Sequence, residues 1–314
     1  MNEGRTSTGS LLGRHMGFPF ADGNYAFALG LAPMREETWL DIDDRYVQEM
    51  REKARRMRDH RDAVFIARLG SERGQAEVLA LLLQHLKAYY PKLFRFAGAL
   101  PADALDPSLR IENLLNGESW RVADFLEMPL ELAGRLVQED LCLMSLGPDG
   151  TYRLSAGSLC FPFRWELRDK IGLPLTAIHH PVPGYEEKLA GPADRYMAQL
   201  KPKRPSWRCN WNVVDAPDLY LKVTPPQTGI TADNAGARLW IRCERQTLRK
   251  LPNSGDVLFT IRTYIRPLSI LESMPTIATN LMRALDQIPS EMRAYKSQPP
   301  FRAALMSYLE RISR

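Results

Sequence analysis

The period of the hydrophobic pattern changes at residue 151, and that change leaves few architectures open. Before it, apolar residues recur at helical spacing. From there to about residue 266, short runs alternate apolar with polar residues and are broken by Pro and Gly. Candidate strands run over Tyr152–Phe161, Leu175–His180, Trp207–Val214, Arg238–Leu251 and Asp256–Pro267. Short connections between alternating runs favour antiparallel pairing. Trp39, Ile42, Tyr46 and Met50 place a helix over 39–60, and Val78, Leu82 and Leu86 place another over 72–90, stopped by Pro91. Pro129 opens a third that runs to about Ser145, after a long connection over 98–119. A short helix is expected over 191–200, and two more over 269–285 and 290–312. Residues 1–17, rich in Gly, Ser, Thr and Arg, are expected to be mobile. The expectation is one α+β domain over 18–314: helices over 38–145, a sheet of about five strands over 151–267, and C-terminal helices over 269–312.

Composition excludes several functional classes. The 314 residues are 45% hydrophobic and 25% charged, and the net charge of +5 is spread without a basic block. This gives no nucleic-acid stripe and no run long enough to span a membrane. Cys142, Cys160, Cys209 and Cys243 form no C-x-x-C pair, which argues against a zinc ribbon or an iron–sulfur cluster in this chain. Free thiols without a signal peptide point to the cytoplasm. G-x-G-x-x-G, P-loop, G-x-S-x-G and H-E-x-x-H patterns are all missing, so electrons for any redox chemistry have to come from another protein.

Ile178-His179-His180-Pro181-Val182-Pro183-Gly184-Tyr185 stands out locally. A histidine ahead of so stiff a turn is held without distant packing, which suits a ligand whose nitrogen must be aimed. The alternative is that His179 or His180 satisfies a turn carbonyl. His85, beside an apolar helix stripe, reads as a surface or boundary residue. In the fourth candidate strand Leu239, Ile241, Cys243, Arg245 and Thr247 share one face. Arg245 there needs an anion unless it reaches water. Trp207, Cys209 and Trp211 form an apolar wall, with Arg208, Asn210 and Asn212 opposite.

Several strings together resemble the haem-dependent oxidative N-demethylase alpha-subunit-like family. They are Val137 to Cys142, Cys160-Phe161-Pro162 with Trp165 and Lys170-Ile171-Gly172, Ile178 to Tyr185, Leu200-Lys201-Pro202 to Trp211, Arg242 to Pro252, and Leu258 to Tyr264. The resemblance runs from about Phe18 into the C-terminal helices. It implies a PAS-like sheet holding haem b, oxidation of a small methylated amine with O2, and electrons from a redox partner carrying flavin and an iron–sulfur centre. On this match His179 is the axial iron ligand, His180 the second choice and Cys209 an outside alternative. Arg245, Arg249 and Arg262 are candidates for the haem propionates. Glu244 is the candidate for amine binding or proton delivery, a salt bridge with Arg242 or Arg262 being the structural alternative. The competing functions are a non-catalytic PAS-like haem sensor and a small-molecule binding protein without haem.

Overall fold

A computed structural model describes residues 17–101, 104–225, 227–296 and 299–314. Apart from Gly17, the expected mobile N-terminus lies outside the described residues. The chain is organised by a seven-stranded antiparallel sheet. In chain order its strands are β1 (Ala32–Pro33), β2 (Phe65–Ala67), β6 (Asp140–Leu146), β7 (Tyr152–Ser158), β8 (Ser206–Val214), β9 (Trp240–Lys250) and β10 (Val257–Pro267), and their spatial order is β1-β8-β9-β10-β6-β7-β2. A second sheet joins β3 (Phe94–Ala97), β4 (Arg110–Asn113) and β5 (Ser119–Arg121). The helices are α1 (Tyr46–Asp59), α2 (Arg61–Val64), α3 (Glu72–Tyr89), α4 (Pro129–Leu136), α5 (Leu175–His179), α6 (Gly191–Gln199), α7 (Ala235–Arg238), α8 (Pro275–Asp286), α9 (Ser290–Tyr295) and α10 (Arg302–Ile312). The α+β class holds. The count of about five strands becomes seven, two of them short edge strands, and the residues of 98–119 build part of the second sheet.

β9 and β10 form the spine, paired from Trp240↔Pro267 to Lys250↔Val257. Their turn closes with Leu251 N–H donating to Asp256 O at 2.8 Å, and Gly255 supplies the positive φ of 77° that this turn needs. Two helical layers cover one face of the spine. The N-terminal layer buries Trp39, Tyr46, Leu79, Leu82 and Leu86 with Leu141, Leu143 and Leu258, and the inner face of the small sheet closes it. The C-terminal layer buries Leu281, Leu305 and Tyr308 with Val213, Ile241, Cys243 and Tyr264. The other face receives the segment between β7 and β8, which includes α5 and α6.

Two elements differ in kind from the expectation. The third helix stops at Leu136, and 140–146 is a strand. Leu141 and Leu143 enter one core while Cys142 and Met144 enter the other. A strand buried on both faces reads as an unbroken apolar run and carries no alternation. The chain is turned out of the helix by buried partners. The Tyr46 hydroxyl donates to Leu136 O at 2.7 Å, Lys53 Nζ donates to Val137 O at 2.9 Å and Glu139 O at 2.6 Å, and Asp140 accepts the N–H groups of Cys160 and Phe161 at 2.8 Å each. The expected strand over 175–180 is instead α5, a single short helix packed over the sheet and not paired into it.

Candidate functional site

The two faces of the spine are buried to different degrees. On β9, Ile241, Cys243, Arg245, Thr247 and Arg249 are buried, while Glu244, Gln246 and Leu248 stay half-exposed. On β10, Leu258, Thr260 and Arg262 are buried and Phe259 and Ile261 are half-exposed. Across from this open face, Trp165, Ile171, Leu175 and Ile178 are half-buried as well. These two sets of half-buried apolar residues pack against one common cluster, and the region between them, called the crevice below, is the candidate site for a flat apolar group.

His179 stands in the wall made by α5. Pro174 caps this helix, and Ile178 N–H donates to Pro174 O at 2.9 Å. The imidazole Nδ1 lies 2.9 Å from Leu175 O. A carbonyl only accepts, so Nδ1 carries the proton and the lone pair is on Nε2. Tyr185 stacks on the ring at 4.5 Å between centroids and 14° between planes. Its place is set by the turn at Gly184, whose φ is 72°. Burial lowers the His179 pKa; the bond to Leu175 O works against this and Arg208 and Lys170 work with it. A neutral imidazole with Nδ1–H committed and Nε2 free is the state a metal-ligating histidine needs.

His180 is exposed and helical, with φ −48° and ψ −38°. The candidate strand over 175–180 would have extended both histidines, whereas here α5 continues into His180. Neighbours on a helix point in different directions, so the two rings do not share one side.

Glu244 lies on the open face of the sheet. It accepts from Arg242 Nε at 3.1 Å, and from Asn210 Nδ2 and Gln246 Nε2 at 3.4 Å each. The ion pair with Arg242 confirms the structural alternative for this carboxylate without removing it from the crevice side. Arg208, on the same side of β8, was not singled out in the sequence. Its Nε is buried without a hydrogen-bond partner. Burial lowers its pKa, opposed by the charges of Cys209, Glu244 and Tyr185. Arg208 is half-buried and, unlike Arg56, Arg135, Arg164 and Arg249, which also leave an Nε unmet, it acts electrostatically on His179 and Tyr185, which makes it the candidate to meet an anion there. Alternation along β8 already set Arg208 opposite the Trp207–Trp211 wall, and that was the signal available.

Arg245, Arg249 and Arg262 are not brought to the crevice. They project from the opposite, covered face. Arg245 donates to Trp39 O at 3.0 Å and also to Thr38 O. Arg249 binds Glu36 at 2.6 Å and lies 4.2 Å from the Trp39 ring centroid. Arg262 is paired with Asp43 at 2.9 Å and Glu49 at 2.8 Å. The structure does not support the propionate role expected of all three: they lie on the covered face, where their guanidinium groups meet the segment ahead of α1 and α1 itself, with Arg249 Nε left without a partner. Cys209, opposite Arg245 in the β8–β9 register, faces the same way and is set apart from His179. His85 is also corrected. It is 3% exposed and lies among Trp39, Tyr89 and Tyr90.

Half-exposed apolar residues on one face of an antiparallel sheet, an imidazole with Nε2 free and a half-buried arginine with an unmet Nε make this face a candidate site for a flat, anionic group. A family model described as haem-dependent oxidative N-demethylase, alpha subunit-like, matches residues 30–306. The chain belongs to that family. Its residues fit the group that the family name specifies: a nitrogen for iron, apolar walls for the macrocycle and Arg208 for an acidic edge. No helix among the described residues is long and apolar enough to cross a membrane.

Proposed function

We propose that this chain is a haem b enzyme that removes a methyl group oxidatively from a small amine, using O2 and electrons from a partner reductase. The observation that carries the reading is His179: its Nδ1–H is held by Leu175 O, its ring is clamped by Tyr185, and it stands in the wall of the crevice. We read the five long strands as a PAS-like core. In chain order among themselves they lie 2-1-5-4-3, with β1 and β2 added at the edges. The group itself would supply oxygen activation at its iron. The chain would supply the rest. His179 Nε2 would ligate, Arg208 would hold an anionic edge of the cofactor, and Leu248, Phe259, Ile261 and Ile178 would exclude water. Glu244, held in place by Arg242, Asn210 and Gln246, meets the ammonium form of the substrate and takes its proton, which frees the nitrogen lone pair for oxidation. The flavin and iron–sulfur centre of a partner deliver electrons, because the chain carries no motif for either.

The test is the absorption spectrum of the protein produced with ample haem. A Soret band at one haem per chain is expected. It should be lost or shifted in His179→Ala and kept in His180→Ala, with circular dichroism unchanged in both. A colourless protein that takes up no added haemin refutes the reading, and a reversed pattern moves the ligand to His180. With haem loaded, NADPH should be consumed slowly by the chain alone and rapidly once a flavin/iron–sulfur reductase is added.

A further inference from the structure

The helix that carries His179 is too short to hold its own shape. Five residues close almost no internal ladder, and a helix of that length is unstable without tertiary ties. Its last carbonyls have no helical partners. One of them, Ile178 O, accepts from Lys170 Nζ at 2.8 Å. Lys170 is half-buried, and it forms no ion pair among the described residues.

Lys170 stands on firm ground. Its N–H donates to Leu167 O at 3.0 Å, and Leu167 is fully buried. Two residues on, Gly172 N–H donates to Leu154 O at 2.7 Å, and Leu154 N–H returns a bond to Leu173 O at 3.1 Å. The loop 167–173 is thereby laced to β7, in the sheet itself. The lysine side chain spans from this anchored loop to the carbonyl next to His179 in sequence.

We propose that Lys170 is a positioning residue for the iron ligand: its ammonium ties the end of α5 to the sheet and so fixes where His179 Nε2 points. This rests on the reading of His179 as the ligand. Hydrogen bonds made by charged groups are among the stronger ones. Outer partners that orient a metal ligand are worth about ten- to a hundredfold in affinity. A lysine laid along a surface for general stability would not act through the imidazole.

The experiment measures haem dissociation, by transfer to excess apomyoglobin, together with the ferric absorption spectrum. The holoprotein, Lys170→Met and Lys170→Arg are compared in two backgrounds: wild type, and His179→Gly supplied with imidazole. In the wild-type background Lys170→Met should speed haem loss about tenfold or more and alter the ferric spectrum. Lys170→Arg, which keeps a charged donor, should recover part of both. In the His179→Gly background with imidazole the ligand is no longer tied to the chain, and Lys170→Met should change nothing further. An equal effect in both backgrounds overturns the proposal, because Lys170 would then act on the crevice and not through His179. No effect in the wild-type background overturns it as well. If His179→Gly keeps a wild-type spectrum without imidazole, it is the ligand assignment that fails, and the role of Lys170 fails with it.

Discussion

Arg262→Met separates a structural role for this residue from a role in cofactor binding. Arg262 is 1% exposed, and its guanidinium meets Asp43 at 2.9 Å, Glu49 at 2.8 Å and the carbonyl of Asp41 at 3.3 Å. Burial opposes its charge, and Glu49, Tyr264 and Asp43 outweigh that burial. Removing one partner of a buried pair leaves an uncompensated charge and costs about 3–5 kcal/mol. That is a large share of the ~5–15 kcal/mol that holds a typical domain folded. The sign of the pH dependence follows from the carboxylates. Burial already raises the Glu49 and Glu139 pKa values, and Arg262 pulls both back down. Without Arg262 they rise further. A carboxyl whose pKa is higher folded than unfolded penalises the folded state at pH above that value, and the penalty fades as pH falls through it. The deficit of Arg262→Met is therefore largest near pH 8 and smaller near about pH 5. Urea denaturation at the two pH values, together with haem titration of the folded variant, measures both quantities. A variant as stable as wild type that binds haem poorly would refute the assignment made from the geometry.

Three further outcomes are expected. Glu244→Gln should keep the haem spectrum and lose about 1.5–3 kcal/mol of transition-state stabilisation, roughly ten- to a hundredfold in kcat/KM for the amine; unchanged kinetics would remove Glu244 from the site. Gly134→Ala should lower the urea midpoint by about 1–3 kcal/mol of stability, because a Cβ on α4 would overlap the Ser158 side chain on β7, and an unchanged midpoint would show that this packing relaxes freely. Hydrogen exchange of the haem-free protein should be faster in α5 than in β9 and β10, and α5 should gain protection on haem loading; equal rates before and after loading would dissociate α5 from the cofactor.

The parts of the fold that were legible in the sequence are those buried on one side only. Val78, Leu82 and Leu86 gave α3 its period, and alternation gave β8, β9 and β10 within a residue or two. β6 was hidden because Leu141 to Met144 are apolar towards two cores at once. α5 was hidden because five mixed apolar residues fit a strand as well as a helical turn. The faces of β9 were read correctly, and Arg245 did need acceptors, but those acceptors are carbonyls of Thr38 and Trp39, 207 and 206 positions away in the chain. Nothing in the local pattern tells a backbone carbonyl far along the chain from the carboxylate of a ligand. His179 stood out for the stiff turn that follows it, but its bond to Leu175 O was not legible, because that contact forms only in a helix and the segment reads as a strand. Arg208 was not legible, because what distinguishes it is an unmet donor placed near His179 and Tyr185, and that is a property of the folded neighbourhood.

The arginines on the covered face also bear on why the other face stays open. Arg245, Arg249 and Arg262 hook Glu36, Thr38, Trp39 and Asp43, and Arg262 reaches Glu49 on α1. Charged and carbonyl ties thus fasten the N-terminal layer to the spine, in addition to the apolar contacts of its core. On the other face Arg242 binds the carbonyls of Phe161 and Leu219, but among the described residues no such arginine reaches α5. Its ties are Lys170 to Ile178 O and the bonds of residues 172–173 to Leu154, and the facing walls are apolar and half-exposed. A sheet can admit a large flat ligand on one face only if the layer over that face is not welded shut by polar contacts, and it keeps its register only if the opposite layer is. The same strands meet both conditions because alternation sends Arg245, Thr247 and Arg249 one way and Glu244, Gln246 and Leu248 the other. What the arginines contribute to the site is therefore indirect: they hold the wall from behind, while His179, Arg208 and Glu244 face the crevice in front.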